Sequence, residues 1–126
     1  GVSYNSPMSK FAPNTVLTGP VWNWGPYYVK RVQAAKDGTW TSSDYWGGLK
    51  DGVVDLAPYG PMVPENVKKL VEAKKADILA GKFHPFAGPI KDNKGVVRVP
   101  AGTTMTDAQL LSFDWFVENV EGTLPN

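Results

Sequence analysis

The chain contains no cysteine. Disulfides, zinc thiolates and cysteine nucleophiles are therefore excluded outright. There is a single histidine, His84, flanked by Phe83 and Pro85, and it reads as a turn histidine packed beside aromatics. With so few nitrogen and sulfur ligands, a metal site would need oxygen ligands alone; no metal and no cofactor is expected. Charge of one sign is lacking too. Thirteen basic and twelve acidic residues leave a net charge of +1, which gives no electrostatic case for nucleic acid or an anionic membrane surface. No apolar run approaches the roughly 20 residues that a membrane span needs. Gly1 to Lys10 has no basic region followed by an apolar core, so no signal peptide is expected there. A mature chain and a truncated one would read alike in this respect.

Catalytic signatures are missing as well. A hydrolase needs a nucleophile, a base and an orienting acid, yet no Gly-x-Ser-x-Gly elbow occurs. No Gly-x-x-x-x-Gly-Lys-Ser/Thr phosphate loop occurs either. Asp92-Asn93-Lys94-Gly95 lacks the acid series of a calcium loop and reads as a hairpin turn. Asp51 and Asp55 flank a strand and read as turn and edge charge. The chain is not expected to be an enzyme.

What is present is a sequence of globular composition, 42% hydrophobic and 20% charged over 126 residues. One α/β unit over residues 1–126 is expected. Thirteen glycines and eleven prolines punctuate it, and five tryptophans must either be buried or face a ligand. Gly1 to Pro13 reads as a short strand or loop. Asn14 to Trp22 is the first strand candidate, with Pro20 marking a strand end or an edge. A helix starts near Pro26, because proline suits the first turn. Tyr28, Val29, Val32 and Ala35 form its apolar stripe, Lys30, Arg31, Gln33 and Lys36 its wet face, and Asp37-Gly38 its stop. Tyr45 to Pro58 contains the next strand, and Tyr59-Gly60-Pro61 is a turn. Pro64 opens a second helix, with Glu65 in the first turn, a buried stripe of Val67, Leu70, Val71 and Ile78, and Gly81 as its stop.

Asp92-Asn93-Lys94-Gly95, between Ala87–Ile90 and Val96–Val99, is a hairpin signal. Thr106 to Gln109 spells a capping box. A third helix is expected after it, with Leu110, Phe113, Val117 and Val120 on one stripe and Gly122 as its stop. Strands alternating with helices imply α/β layers with an antiparallel hairpin at the edge.

The stretch Trp22-Asn23-Trp24-Gly25-Pro26-Tyr27-Tyr28 runs from a strand end into a helix start. Ligands of open α/β sheets bind outside the carboxyl ends of strands. Trp-Asn-Trp alternation sends both indoles to one side if the stretch is extended. Two readings stand: the rings are core, or they stack on a flat ligand with Asn23 at its polar edge.

This run, with Asp37-Gly-Thr-Trp40, Tyr45-Trp-Gly-Gly-Leu-Lys-Asp-Gly-Val-Val-Asp55, Gly81-Lys-Phe-His-Pro-Phe86, Gly88-Pro-Ile-Lys-Asp92 and Asp114-Trp-Phe-Val-Glu-Asn-Val-Glu-Gly122, resembles the C-terminal part of the basic membrane protein (PnrA-like) family. The resemblance covers roughly Tyr4 to Pro125. Family members are substrate-binding components of ABC transporters. The resemblance implies the C-terminal part of a type I periplasmic-binding-protein fold, a mixed sheet flanked by helices with an edge hairpin. It implies capture of a purine base or nucleoside for an ABC permease, in the periplasm or on a lipid anchor. The missing N-terminal part of the parent is then an expected partner, and a half-fold with uncovered faces is expected to self-associate. A ligand-sensing receptor or regulatory module is the alternative use of the same fold.

The resemblance also places two sugar-binding groups. An aspartate is expected where Pro7 stands and a lysine where Trp22 stands, so the expected ligand moves toward a bare base. Asn5, Ser6, Trp22, Asn23 and Trp24 are the expected ligand-binding positions.

Overall fold

In the computed structural model, which describes residues 1–124, proline and glycine set most element boundaries. The described chain divides into two units, Gly1–Leu79 and Ala80–Asn126. The resemblance noted above runs to Pro125, which lies outside the described residues.

The first unit holds β1 (Pro20–Trp22), α1 (Gly25–Lys36), β2 (Val54–Leu56) and α2 (Glu65–Leu79). Pro26 sits in the first turn of α1, where its fixed φ suits the helix and its missing N–H has no partner to lose. Gly38 follows the helix with φ of 70°, which a side chain would resist. α2 starts directly after Pro64, with Glu65 in its first turn, as expected. β1 and β2 pair antiparallel, with Trp22 opposite Val54. The ladder extends through Asn23 N–H to the Val53 carbonyl at 2.8 Å and Ala57 N–H to the Gly19 carbonyl at 2.9 Å.

Three expectations for this unit are corrected. The strand expected over Asn14–Trp22 is confined to its end, because the N–H groups of Thr15 and Val16 turn back onto the Ala12 carbonyl. The expected mixed sheet does not form among the described residues, whose two sheets are each two-stranded and antiparallel. Among the described residues, parallel pairing is limited to a bridge between Val2 and Thr18. Asn5, at φ of 61°, turns the first segment out of the extended region after that bridge. Pro20, without an N–H, adds no donor on the other side.

The third correction concerns α1. Tyr28, Val29 and Val32 face solvent, both valines 69% exposed. The packed face carries Tyr27, Arg31 and Ala34. Arg31 donates from Nε to the Tyr27 hydroxyl at 2.9 Å and from Nη2 to Ser43 Oγ at 3.0 Å. Its guanidinium also lies 5.2 Å from the Tyr27 ring centroid. A cation with these partners is held more firmly than a valine is held by a face with nothing over it. In α2, Val71 and Ile78 turn inward as expected, whereas Leu70 and Val67 are exposed. Lys75 packs its stem inward and bonds its ammonium to Asp55, which holds that carboxyl below its ordinary range. Val53, Ala57 and Val63 are the buried apolar residues of the unit.

The second unit holds β3 (Ile90–Lys91), β4 (Val97–Val99) and α3 (Asp107–Leu111). β3 and β4 form the expected antiparallel hairpin, and Gly95 takes φ of 84° in its loop. Asp92 is the residue that organises the turn. Its buried carboxylate accepts from the N–H groups of Lys94 and Val96, both at 2.9 Å, and from Arg98 Nε at 2.7 Å. Burial pushes this carboxyl up, and the Arg98 bond with the two backbone N–H bonds outweighs that and holds it below its ordinary value. The capping box at α3 is formed as expected, Gln109 N–H donating to Thr106 Oγ1 and Thr106 N–H to Gln109 Oε1.

The helix that follows is corrected: it ends at Leu111 instead of running to Gly122. Beyond it the chain joins the hairpin. Val117 bridges Asp92, and Asn93 N–H donates to the Phe116 carbonyl at 2.9 Å. Phe113 and Trp115 stack at 4.4 Å, a two-residue spacing that suits an extended chain and not a helix. Tertiary pairing has overridden the helical period.

Candidate functional site

The site is built where β1 runs into α1. Trp22 is the last residue of β1 and Trp24 immediately precedes α1. Alternation along Trp22-Asn23-Trp24 puts both indoles on one side, and their rings stack at 6.1 Å with 24° between planes. Asn23 points elsewhere. It donates from Nδ2 to the Gly52 carbonyl at 3.3 Å and fastens the loop to the start of β2.

Trp24 is the hub of the cluster. Its ring meets Tyr27 at 5.8 Å, Tyr28 at 6.3 Å and Tyr45 at 6.3 Å. Tyr45 in turn packs on Tyr27 at 4.4 Å. Gly47 permits this arrangement, since a β-carbon there would sit 2.5 Å from the Tyr45 hydroxyl. Between the two indoles and this loop lies a cleft of about 340 Å³, lined by Trp22, Trp24, Tyr45, Trp46, Gly47 and Val54. Its size is at the small end of ligand pockets, which run from about 300 to 1,000 Å³. None of the lining residues carries a charge.

The expected site residues divide into those the fold brings together and those it does not. Trp22 and Trp24 line the cleft. Asn5, seventeen residues before Trp22, accepts a hydrogen bond on Oδ1 from the Trp22 indole N–H at 2.8 Å. Its left-handed backbone, tolerated by asparagine, aims the side chain there. Ser6 sits in the exposed turn beside Asn5, its N–H bonded to the Tyr4 carbonyl at 2.7 Å. Asn23 is spent on the loop. Tyr45 and Trp46 were not expected in the cleft; the signal for them was two adjacent aromatics ahead of Gly47-Gly48. Among the described residues no group of acidic and histidine side chains is placed to hold a metal ion. No helix among them is long and apolar enough to cross a membrane.

An uncharged aromatic cleft at a strand end suits capture of a small molecule, and the comparisons with known proteins name that class. The family described as ABC transporter substrate-binding protein PnrA-like matches residues 1–94, and the chain belongs to this family. It is 46% identical over 120 residues to a purine-binding protein of Brucella abortus, covering 95% of this chain and 34% of that protein. It is 29% identical over 123 residues to a putative ABC transporter glucose-binding protein of Haloferax volcanii, covering 98% of this chain and 29% of that one. The chain thus spans about a third of the length of these curated relatives. Among solved structures it is similar to a transcriptional activator of the comK gene from Bacillus halodurans, with a TM-score of 0.57, 21% identity, and 67% of this chain and 30% of that chain covered. That likeness is one of fold alone.

Proposed function

We propose that the protein captures a purine base for uptake through an ABC permease, and that this chain supplies one wall of the binding cleft. The observation that carries the reading is the cleft itself: paired indoles, no charged lining residue, and a volume suited to a flat ring. The relatives are named for a purine and for glucose. A buried sugar needs several polar partners for its hydroxyls, and four of the six lining residues here are aromatic. Trp22 and Pro7 in place of the lysine and aspartate expected from the resemblance point the same way, toward a bare base. Trp22 stacks on the ring with Trp24 packed against it in the same cleft wall, Asn5 holds Trp22 and offers its amide N–H groups, and Ser6 and Asn23 lie on the adjoining turns.

The family match supports the rest of the reading. The chain is the C-terminal α/β unit of a two-lobed type I binding protein, working in the periplasm or on a lipid anchor. Its partners are a permease and the N-terminal part of the parent. Equilibrium binding of adenine, adenosine and guanosine to the full-length protein tests this. Adenine is expected to bind most tightly, and Trp22→Ala to weaken it by about tenfold or more, the usual scale of base stacking. Absence of binding by all three sinks the purine reading.

A further inference from the structure

The Trp22–Trp24 pair cannot itself be a clamp. Carbon atoms in contact lie about 3.5–4.0 Å apart, so a ring inserted between two others needs about 7–8 Å from plane to plane. The two indoles stand 6.1 Å apart centre to centre and nearly parallel, so they close on each other as one slab. Trp24 is the only ring neighbour of Trp22 among the described residues, which leaves the other face of Trp22 open, and the residue is 44% exposed.

A ligand on that open face needs a second wall, and the cleft offers two aromatic candidates. Tyr45 is already committed to Tyr27 and Trp24. Trp46 is not. It lines the same cleft, is 59% exposed, and makes no ring contact or side-chain hydrogen bond among the described residues. Its neighbours are anchored on both sides. Tyr45 is packed as described, and Gly48 is tied by its N–H to Asp51 Oδ2 at 2.9 Å and by its carbonyl to the Val54 N–H at 3.4 Å. An exposed indole without partners, held at a cleft mouth between two fixed points, is an arrangement that a bound ring would complete.

We propose that Trp46 is the second aromatic wall of the cleft, a specificity-determining residue that sandwiches a flat, uncharged heteroaromatic ring against Trp22. This rests on the purine-capture reading above. The sandwich selects for planarity on both faces, so it disfavours ligands with saturated, out-of-plane groups in the ring position.

The test uses the full-length protein and adenine as probe. Trp46→Ala is expected to weaken adenine binding by about tenfold or more, and Trp46→Phe to stay within about threefold of wild type, because a smaller ring still stacks. A second readout is iodide quenching of Trp46, taken as the difference between wild type and Trp46→Phe. Free protein is expected to be quenched at this site, and adenine to protect it. If wild type binds none of adenine, adenosine and guanosine, the capture reading fails and the wall with it. If wild type binds adenine, Trp46→Ala binds equally tightly and Trp46 stays open to iodide, the wall alone is overturned. Loss of affinity in Trp46→Ala that Trp46→Phe does not restore, without protection from iodide, marks a structural role and also overturns it.

Discussion

The indole N–H of Trp22 donates to the side-chain oxygen of Asn5 at 2.8 Å, across seventeen residues of chain. One bond of this kind contributes about 1 kcal/mol, which is little for stability and enough to fix a ring. It spends the acceptor of Asn5 and leaves the two amide N–H groups unspent.

Substitution separates the two halves of that amide. Asn5→Asp keeps an acceptor for the indole and removes the donors; Asn5→Ala removes both. If fixing Trp22 is what matters, Asn5→Asp holds adenine affinity within about threefold of wild type and Asn5→Ala loses roughly tenfold, about 1.4 kcal/mol. Titration of both variants decides it. Equal losses in both show that the amide N–H groups contact the ligand directly.

Gly19 governs whether Asn5 reaches Trp22 at all. A β-carbon at Gly19 would stand 2.5 Å from the Ser3 carbonyl oxygen and 2.1 Å from its hydroxyl oxygen. Backbone on that side cannot step aside without breaking the Val2–Thr18 bridge and the Ser3 N–H bond to the Thr18 carbonyl. Gly19→Ala is expected to destabilise by about 1–3 kcal/mol, the usual scale of overpacking. It should also shift the tryptophan emission as Trp22 loses Asn5. A denaturant melt of wild-type midpoint would show that the segment relaxes freely.

Much of this was legible from particular residues. Pro26 and Pro64 marked both long helices, Thr106 and Gln109 the short one, and Asp92 to Gly95 the hairpin, because each acts through neighbours within a few positions. The side of α1 that packs was not legible. Periodicity chose Tyr28, Val29 and Val32, and the packed face was instead set by Arg31 reaching Tyr27 and Ser43. The end of α3 was illegible for the same reason: Val117 is drawn to Asp92, twenty-five positions away in the chain. In the site, Trp22 and Trp24 were visible by alternation, while Tyr45 and Trp46 come from a loop whose path local sequence does not fix.

The hairpin carries a pH prediction. The Asp92 carboxyl lies below its ordinary value of 3.8 in the folded protein. Between the folded and unfolded values the unfolded state binds more protons, so stability rises with pH there. The contribution of Asp92 is complete above about pH 4 and is lost as pH falls through the lower, folded value. Thermal melts from neutral to strongly acid pH should show wild type losing this increment in acid. Asp92→Asn, which cannot ionise, should show a lower melting temperature at neutral pH and a flatter acid limb. Parallel curves for the two proteins would remove Asp92 from the account.

The outer stripe of α1 gives the last prediction. Tyr28, Val29 and Val32 form a contiguous apolar face in solvent, with Lys36 one turn beyond Val32 at its end. Burying one valine side chain fully is worth about 1.5–3 kcal/mol, so covering two of them supplies a substantial drive to associate. The 126-residue chain on its own is expected to self-associate through this face in sedimentation velocity at high micromolar concentration. Val29→Lys combined with Val32→Glu should return it to monomer with its circular dichroism intact, because both valines are mostly exposed. In the full-length protein the same pair should lower the melting temperature if the proposed N-terminal part covers the stripe, and leave it unchanged if the stripe is a free surface. A wild-type chain that stays monomeric at those concentrations would contradict the expected association.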